Sequence, residues 1–289
     1  MKVIVPMAGL GVRFVQEGYK DPKPLIRIGP DSRMIIQYVL SMFDRERDDF
    51  VFVCNDEHVN KNRIHEVIHD LCPHSTVVSM PSHKLGPIHT VQAAYHCITD
   101  YEEVIVSYCD GMVTWDRSKF LSFVRQNRVD GCLITHTGFH PHTLSSTKMA
   151  FVRDDNGKVL EVKEKAHFTD NPQNEHASSG VYYFRRGGDM KYFFDETVRR
   201  NINYNGEYYV TLAFNPMIEA GLNVRFYDTD YVAILGTPTE VKNFEAWATI
   251  TQNDNIKNTA DLERIFAYWK SYHKTLKEYE QQYQHKKVQ

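Results

Sequence analysis

Two glycines and two cations near the start of the chain form its strongest chemical signal. Ala8-Gly9-Leu10-Gly11-Val12-Arg13-Phe14 follows an apolar run, and Asp21-Pro22-Lys23-Pro24-Leu25 comes shortly after. Glycines just past a buried strand let backbone N–H groups approach a phosphate, while Arg13 and Lys23 supply fixed positive charge. The dinucleotide fingerprint is incomplete, because Phe14 stands where its third glycine belongs, and no Gly-Lys-Ser or Gly-Lys-Thr of a Walker loop occurs. A second glycine turn, Lys84-Leu85-Gly86-Pro87-Ile88-His89-Thr90, opens a helix with Thr90 in its first turn. A lone acid, Asp110, follows the strand-like run 104–108 beside Gly111. A carboxylate there is the usual anchor for Mg²⁺ in phosphate chemistry. Asp116 is a second acid nearby and reads better as a helix cap. In Glu161-Val162-Lys163-Glu164-Lys165, alternation places Glu161, Lys163 and Lys165 on one face of a strand.

These residues need elements to position them. Strands are expected at 2–7, 49–54, 75–80 and 103–109, alternating with helices at 34–43, 58–71, 88–98 and 118–126. Continuous apolar strands suit a parallel sheet covered on both faces, whose ligands sit beyond the carboxyl ends. After Gly131 the pattern changes to strands at 131–136, 149–153, 159–165, 178–184, 223–228 and 231–235, with helices at 189–201 and 208–220. Asp154-Asp155-Asn156-Gly157 reads as a hairpin turn. The expected fold is α/β: a Rossmann-like, doubly wound, mostly parallel sheet with a small β-rich insertion and a C-terminal helix.

Composition narrows the partners. The 289 residues are 42% apolar and 25% charged, ordinary for a globular protein. The net charge of −3 gives no basic surplus for nucleic acid. The apolar run 3–12 is too short to span a bilayer and is broken by Pro6, Gly9 and Gly11, so no membrane partner is expected. Five cysteines without a Cys-x-x-Cys suggest free thiols in a reducing cytoplasm. Leu262, Ile265, Trp269, Tyr272, Leu276, Tyr279 and Tyr283 form a heptad seam on a helix over about 260–285. That helix either packs on its own domain or joins two chains as a homodimer; its aromatic content argues against a simple leucine zipper.

Two other patterns carry less. His65-Glu66-Val67-Ile68-His69 spells His-Glu-x-x-His, but no third zinc ligand follows at the required spacing. His136, His140 and His142 could ligate a metal, but read better as part of a loop past a strand, either plain surface or facing a substrate pocket.

Taken together, the motifs resemble the nucleotide-sugar pyrophosphorylases (sugar nucleotidyltransferases, or NTP transferases) of the capsule or surface-polysaccharide type. The resemblance covers about residues 1–245 and rests first on Gly9, Gly11, Arg13, Lys23 and Pro24. Later matches are Ser178-Ser179-Gly180 before an aromatic strand, Gly206-Glu207, and Gly236-Thr237-Pro238. It implies a nucleotidyltransferase domain over 1–251, with 1–130 binding nucleotide, 131–251 binding acceptor, and a helical extension over 252–289. It implies nucleotide-binding roles for Ala8, Gly9, Gly11, Gly86, Pro87 and Thr90. Catalytic roles fall to Arg13, Lys23, Asp110 and Lys165, with Mg²⁺ on Asp110. Glu164, Gly180 and Glu207 would bind the acceptor. The implied substrates are a nucleoside triphosphate and a sugar 1-phosphate or similar phosphorylated acceptor; pyrophosphate leaves.

The chain departs from the family at three points. Val12 replaces a frequent Ser or Thr. Leu212 and Ile234 stand where acids are usual, leaving Asp228, Asp230 or Glu207 as substitutes for a second metal ligand. Three alternatives stay open: a cytidylyltransferase for a non-sugar phosphate, an inactive nucleotide-binding regulator, and a glycosyltransferase of similar fold, which usually carries Asp-x-Asp where this chain reads Asp110-Gly111-Met112.

Overall fold

The computed structural model describes residues 1–144 and 148–251. The heptad seam over 260–285 lies outside the described residues.

Among the described residues, nine strands build one sheet. In chain order these are β1 (Lys2–Met7), β2 (Asp49–Asn55), β3 (Thr76–Met80), β4 (Val104–Ser107), β5 (Gly131–His136), β6 (Phe151–Asp155), β7 (Lys158–Lys163), β8 (His176–Phe184) and β9 (Val224–Asp228). Across the sheet they run β3-β2-β1-β4-β8-β5-β9-β7-β6. The first four are parallel. The expected mostly parallel pairing ends there. β8 enters antiparallel between β4 and β5, β9 lies parallel to β5, and β6 and β7 form an antiparallel hairpin. The hairpin turn is the expected one, with Asn156 and Gly157 both at positive φ. β6 also pairs with the start of β8 through His176↔Val152, so this end of the sheet curls back on itself.

The alternation of the strands explains two apolar cores. Val3, Val5, Phe50, Phe52 and Ile105 face one side, where Ile36, Val39, Ile64, Ile68, Phe120 and Val124 of three helices cover them. Ile4, Val51, Val53, Val104 and Val106 face the other side, under Ile88, Val91, Met190, Phe194, Phe214 and Met217. Each fully buried large side chain contributes about 1.5–3 kcal/mol by leaving water. A third, smaller cluster joins Phe14, Ile26, Ile28, Ile35, Leu235 and Val241. It locks the segments bearing Arg13, Lys23 and Gly236 to one another, so Phe14 acts as an anchor.

Several elements are shorter than expected. The helix over 58–71 is two helices, Asp56–Asn62 and Ile64–Leu71, broken at Arg63 with φ 51°. The helix over 88–98 stops at Gln92 and continues as a 3₁₀ turn, Tyr95–Cys97. The helix over 208–220 is a 3₁₀ turn, Val210–Ala213, followed by Phe214–Glu219. All five cysteines carry free thiols. No helix among the described residues is long and apolar enough to cross a membrane.

Candidate active site

Two adjoining cavities open beyond the carboxyl ends of β1 and β4. The first, of 410 Å³, is lined by Ala8, Gly9, Gly11, Gly86, Pro87 and Thr90, all six expected nucleotide-side residues. Gly11 sits at φ 60° as the cap of the short helix Val12–Gln16, which turns the chain back over the cavity. Val12 is 49% exposed there and offers no hydroxyl. His83 also lines this cavity and hydrogen-bonds Thr90 Oγ1 at 3.1 Å.

Gly86 has a tighter reason to be glycine than closeness to a ligand. It caps the helix Pro87–Gln92 at φ 89° and ψ 175°, and an added Cβ would lie 2.6 Å from the backbone nitrogen of Tyr208. Backbone bonds on either side, Tyr208 N to Leu85 O at 2.9 Å and Ile88 N to Tyr208 O at 3.0 Å, clamp the two segments. The clamp brings Glu207 and Tyr209 to the cavities.

The second cavity, of 880 Å³, holds Arg13, Lys23, Asp110, Glu164, Lys165 and Gly180 together. Glu207, expected with the acceptor, lines the first cavity instead. Lys23, Tyr108, Asp110 and Tyr209 line both, forming a common wall. Asp110 follows β4, and its carbonyl accepts from Leu235 N at 2.7 Å. Its Oδ2 accepts a charge-assisted hydrogen bond from Lys23 Nζ at 2.7 Å. Burial disfavours the Lys23 charge, but Asp110, Cys109 and Glu240 together outweigh it, Asp110 most strongly, and raise the ammonium pKa. Lys23 is therefore a permanent cation at the junction. Gly180 sits at φ 79° in a bulge of β8 and packs on Tyr108, turning the strand beside the cavity.

Lys165 corrects the expected strand face. β7 ends at Lys163, and Lys165 lies beyond it at φ 55°. Its ammonium reaches Tyr209 OH, while Glu161 pairs with Arg153 outside the cavity and Lys163 lies over the Phe168 ring. Glu164 accepts from Thr211 Oγ1. Burial pushes its carboxyl up to about 7; Thr211 and Lys165 oppose the shift, and the Glu207 charge adds to it. At neutral pH this group can both give and take a proton in a hydrogen bond. A raised acid pKa means the folded state holds a proton the unfolded state has lost. Its penalty is absent below about pH 4.5, grows as pH rises toward 7, and then levels off at up to about 3 kcal/mol. Glu164→Gln should therefore raise the melting temperature at pH 8 and leave it nearly unchanged at pH 4, as a pair of thermal melts would show.

The missing second acid has a place in the structure. Ile234 lines the second cavity beside Gly111, whereas Leu212 is buried and lines neither cavity. Of the three substitutes expected, Asp228 pairs with His176 and Thr135. Asp230 is exposed and lines neither cavity, and Glu207 lines the first cavity. The acid that does approach Asp110 is Glu240, which is 1% exposed. A Cβ at Gly236 would lie 3.0 Å from Asp110 Oδ2 and 3.3 Å from Glu240 Oε2. Thr237-Pro238-Thr239-Glu240 reads as a capping box, and Thr237 Oγ1 does accept from Glu240 N at 3.2 Å. That pattern hides Glu240 among helix-start residues. Lys148 and Tyr204 are further cavity residues without a motif.

The other candidates lie elsewhere. Asp116 caps the helix Arg117–Gln126 through Lys119 N at 3.0 Å. His136, His140 and His142 are buried, not on a surface loop. The His136 ring meets those of His140 and His142 edge to face, His140 stacks on His142, and His136 Nδ1 meets Ser179 Oγ at 3.0 Å behind the second cavity. Burial and neighbouring imidazoles push His136 down to about 2 and His142 to about 3, so both stay neutral. His65 and His69 sit on the helix Ile64–Leu71, and no group of three metal-ligating side chains occurs among the described residues.

Residues 2–224 match the family model for nucleotidyl transferases. The chain belongs to that family. This nucleotidyl transferase is similar in fold to several solved structures. One is the nucleoside-diphosphate-sugar pyrophosphorylase from Vibrio cholerae RC9, at 20% identity and TM-score 0.64 over 84% of this chain and 99% of that one. Another is the inositol-1-phosphate CTP transferase from T. maritima, at 14% identity and TM-score 0.65 over 89% and 98%. A third is a UDP-glucose pyrophosphorylase complexed with UDP-glucose, at 16% identity and TM-score 0.64 over 86% and 98%. No curated protein matches the sequence. The family membership makes this an enzyme of nucleotide transfer on a mixed α/β fold with a central sheet.

Proposed function

We propose that the enzyme joins a nucleoside triphosphate to a sugar 1-phosphate or similar phosphorylated acceptor, releasing pyrophosphate. The product is a nucleoside-diphosphate sugar or its analogue, made in the cytoplasm for polysaccharide assembly. In this reading residues 1–130 form a Rossmann-like, doubly wound nucleotide half, and 131–251 supply the acceptor insertion. The observation that carries it is the common wall: Lys23 and Asp110 face a glycine-lined cavity on one side and a cavity with Arg13, Glu164 and Lys165 on the other.

In that arrangement a phosphate oxygen of the acceptor attacks the α-phosphorus in line, and the bond to the β-phosphate oxygen breaks. A phosphate dianion is already nucleophilic, so no side-chain base is needed. Positioning and charge neutralisation carry the rate. Lys23 and Arg13 stabilise the triphosphate and its leaving group. Lys165 holds the acceptor phosphate, and Glu164 a neighbouring hydroxyl. Asp110 and Glu240 are hard oxygen donors and fit Mg²⁺, which takes one or two carboxylates together with phosphates and water. When bound, that ion neutralises charge on the phosphates. The free thiols suit a reducing compartment.

The test is a matrix of ATP, GTP, CTP, UTP and dTTP against sugar and non-sugar monophosphates, read as pyrophosphate release with Mg²⁺ present. Release with one triphosphate and a sugar 1-phosphate is expected. Release only with CTP and a non-sugar phosphate would move the enzyme to the cytidylyltransferases. No release from any pair would overturn the reading.

A further inference from the structure

Tyr209 stands in the common wall, and its hydroxyl makes two hydrogen bonds of opposite sense. It donates to Glu207 Oε2 at 2.5 Å and accepts from Lys165 Nζ at 2.5 Å. A phenol has one proton to give, and an ammonium can only donate, so the direction of this chain is fixed. Burial and the Glu207 charge raise the Tyr209 pKa, which keeps the phenol protonated. Lys165 is held in a left-handed conformation that lysine seldom adopts. Its ammonium lies 4.4 Å from the Tyr209 ring centre and 5.2 Å from that of Tyr204. The competing anion is the adjacent Glu164, whose carboxylate attracts the same ammonium.

We propose that Tyr209 is a positioning residue: it holds Lys165 away from Glu164 and ties its direction to Glu207 on the nucleotide side, so that an acceptor phosphate meets a preset ammonium. This rests on reading the second cavity as the acceptor-phosphate site. Glu207 then acts on the acceptor without touching it, through the phenol.

Y209F removes the hydroxyl and keeps the ring, so packing and the cation–π contact persist. The readout is lysine acylation of the full-length protein, followed by peptide mass spectrometry while inorganic phosphate is titrated. In the wild type, phosphate protects Lys165. In Y209F the half-protecting phosphate concentration rises at least about tenfold, as expected for losing a charge-assisted hydrogen bond. The melting temperature of Y209F stays within a few degrees of wild type, which a general loosening of the fold would not allow. Equal phosphate protection in the two proteins overturns the positioning role. Failure of phosphate to protect wild-type Lys165 overturns the acceptor-site reading beneath it, and the proposal with it. Should Y209F melt early, Glu207→Gln serves in its place. It keeps the phenol, weakens its tether, and must also weaken phosphate protection; unchanged protection overturns the proposal.

Discussion

Asp110→Asn should lower turnover at least about a hundredfold, equivalent to about 2.7 kcal/mol of transition-state stabilisation, while the protein melts within a few degrees of wild type. The side chains are nearly isosteric. The amide oxygen can still accept from Lys23, and the backbone bond from Leu235 N to Asp110 O does not involve the side chain. The negative charge is what disappears. That charge restrains the Lys23 ammonium at the junction and, in the proposed reaction, would supply a hard donor for Mg²⁺. Pyrophosphate release at saturating substrates, set beside a thermal melt, checks both halves. Near-normal turnover would remove Asp110 from the chemistry.

Gly86→Ala should have the largest effect on folding of any single methyl group near the site. At φ 89° and ψ 175° the backbone occupies a region almost reserved for glycine, at a cost of about 1–3 kcal/mol for alanine. The methyl group would also press on the Tyr208 nitrogen at 2.6 Å and oxygen at 2.8 Å, backbone atoms with no rotamer to yield. Overpacking of this kind adds about 1–3 kcal/mol. The melting temperature should fall by roughly 8 °C, measured by calorimetry. Activity should fall further than stability alone explains, because the displaced segment carries Glu207 and Tyr209. A melting temperature equal to that of the wild type would mean that the two backbone clamps are dispensable.

β1, β2 and β4 were legible because each is a short, mostly apolar run, and β1 and β4 lead straight into chemical motifs. The same property put Gly9, Gly11 and Asp110 just past strand ends, where the structure gathers them with Lys23 of the 3₁₀ turn Lys23–Leu25. What failed to show was decided by contacts distant in sequence. β8 enters antiparallel between β4 and β5, and nothing in its alternation marks that direction. Helical spacing ran past Arg63 because periodicity does not register a single left-handed residue. Alternation carried Lys165 onto a strand face, although the strand stops at Lys163 and Tyr209 draws the lysine aside. Glu207 was grouped with the acceptor residues by motif order, but the Gly86 clamp places it in the lining of the first cavity. Glu240 carries the signature of a helix start, which conceals its approach to Asp110.

The common wall has a pharmacological consequence. Because Lys23, Tyr108, Asp110 and Tyr209 belong to both chambers, the two substrates, bound as proposed, would meet across these four residues. A bisubstrate inhibitor, with its nucleoside and acceptor portions joined by a non-hydrolysable bridge, can occupy both chambers as one tethered molecule. The second portion then binds at a high effective concentration, so the pair can outcompete either portion by orders of magnitude.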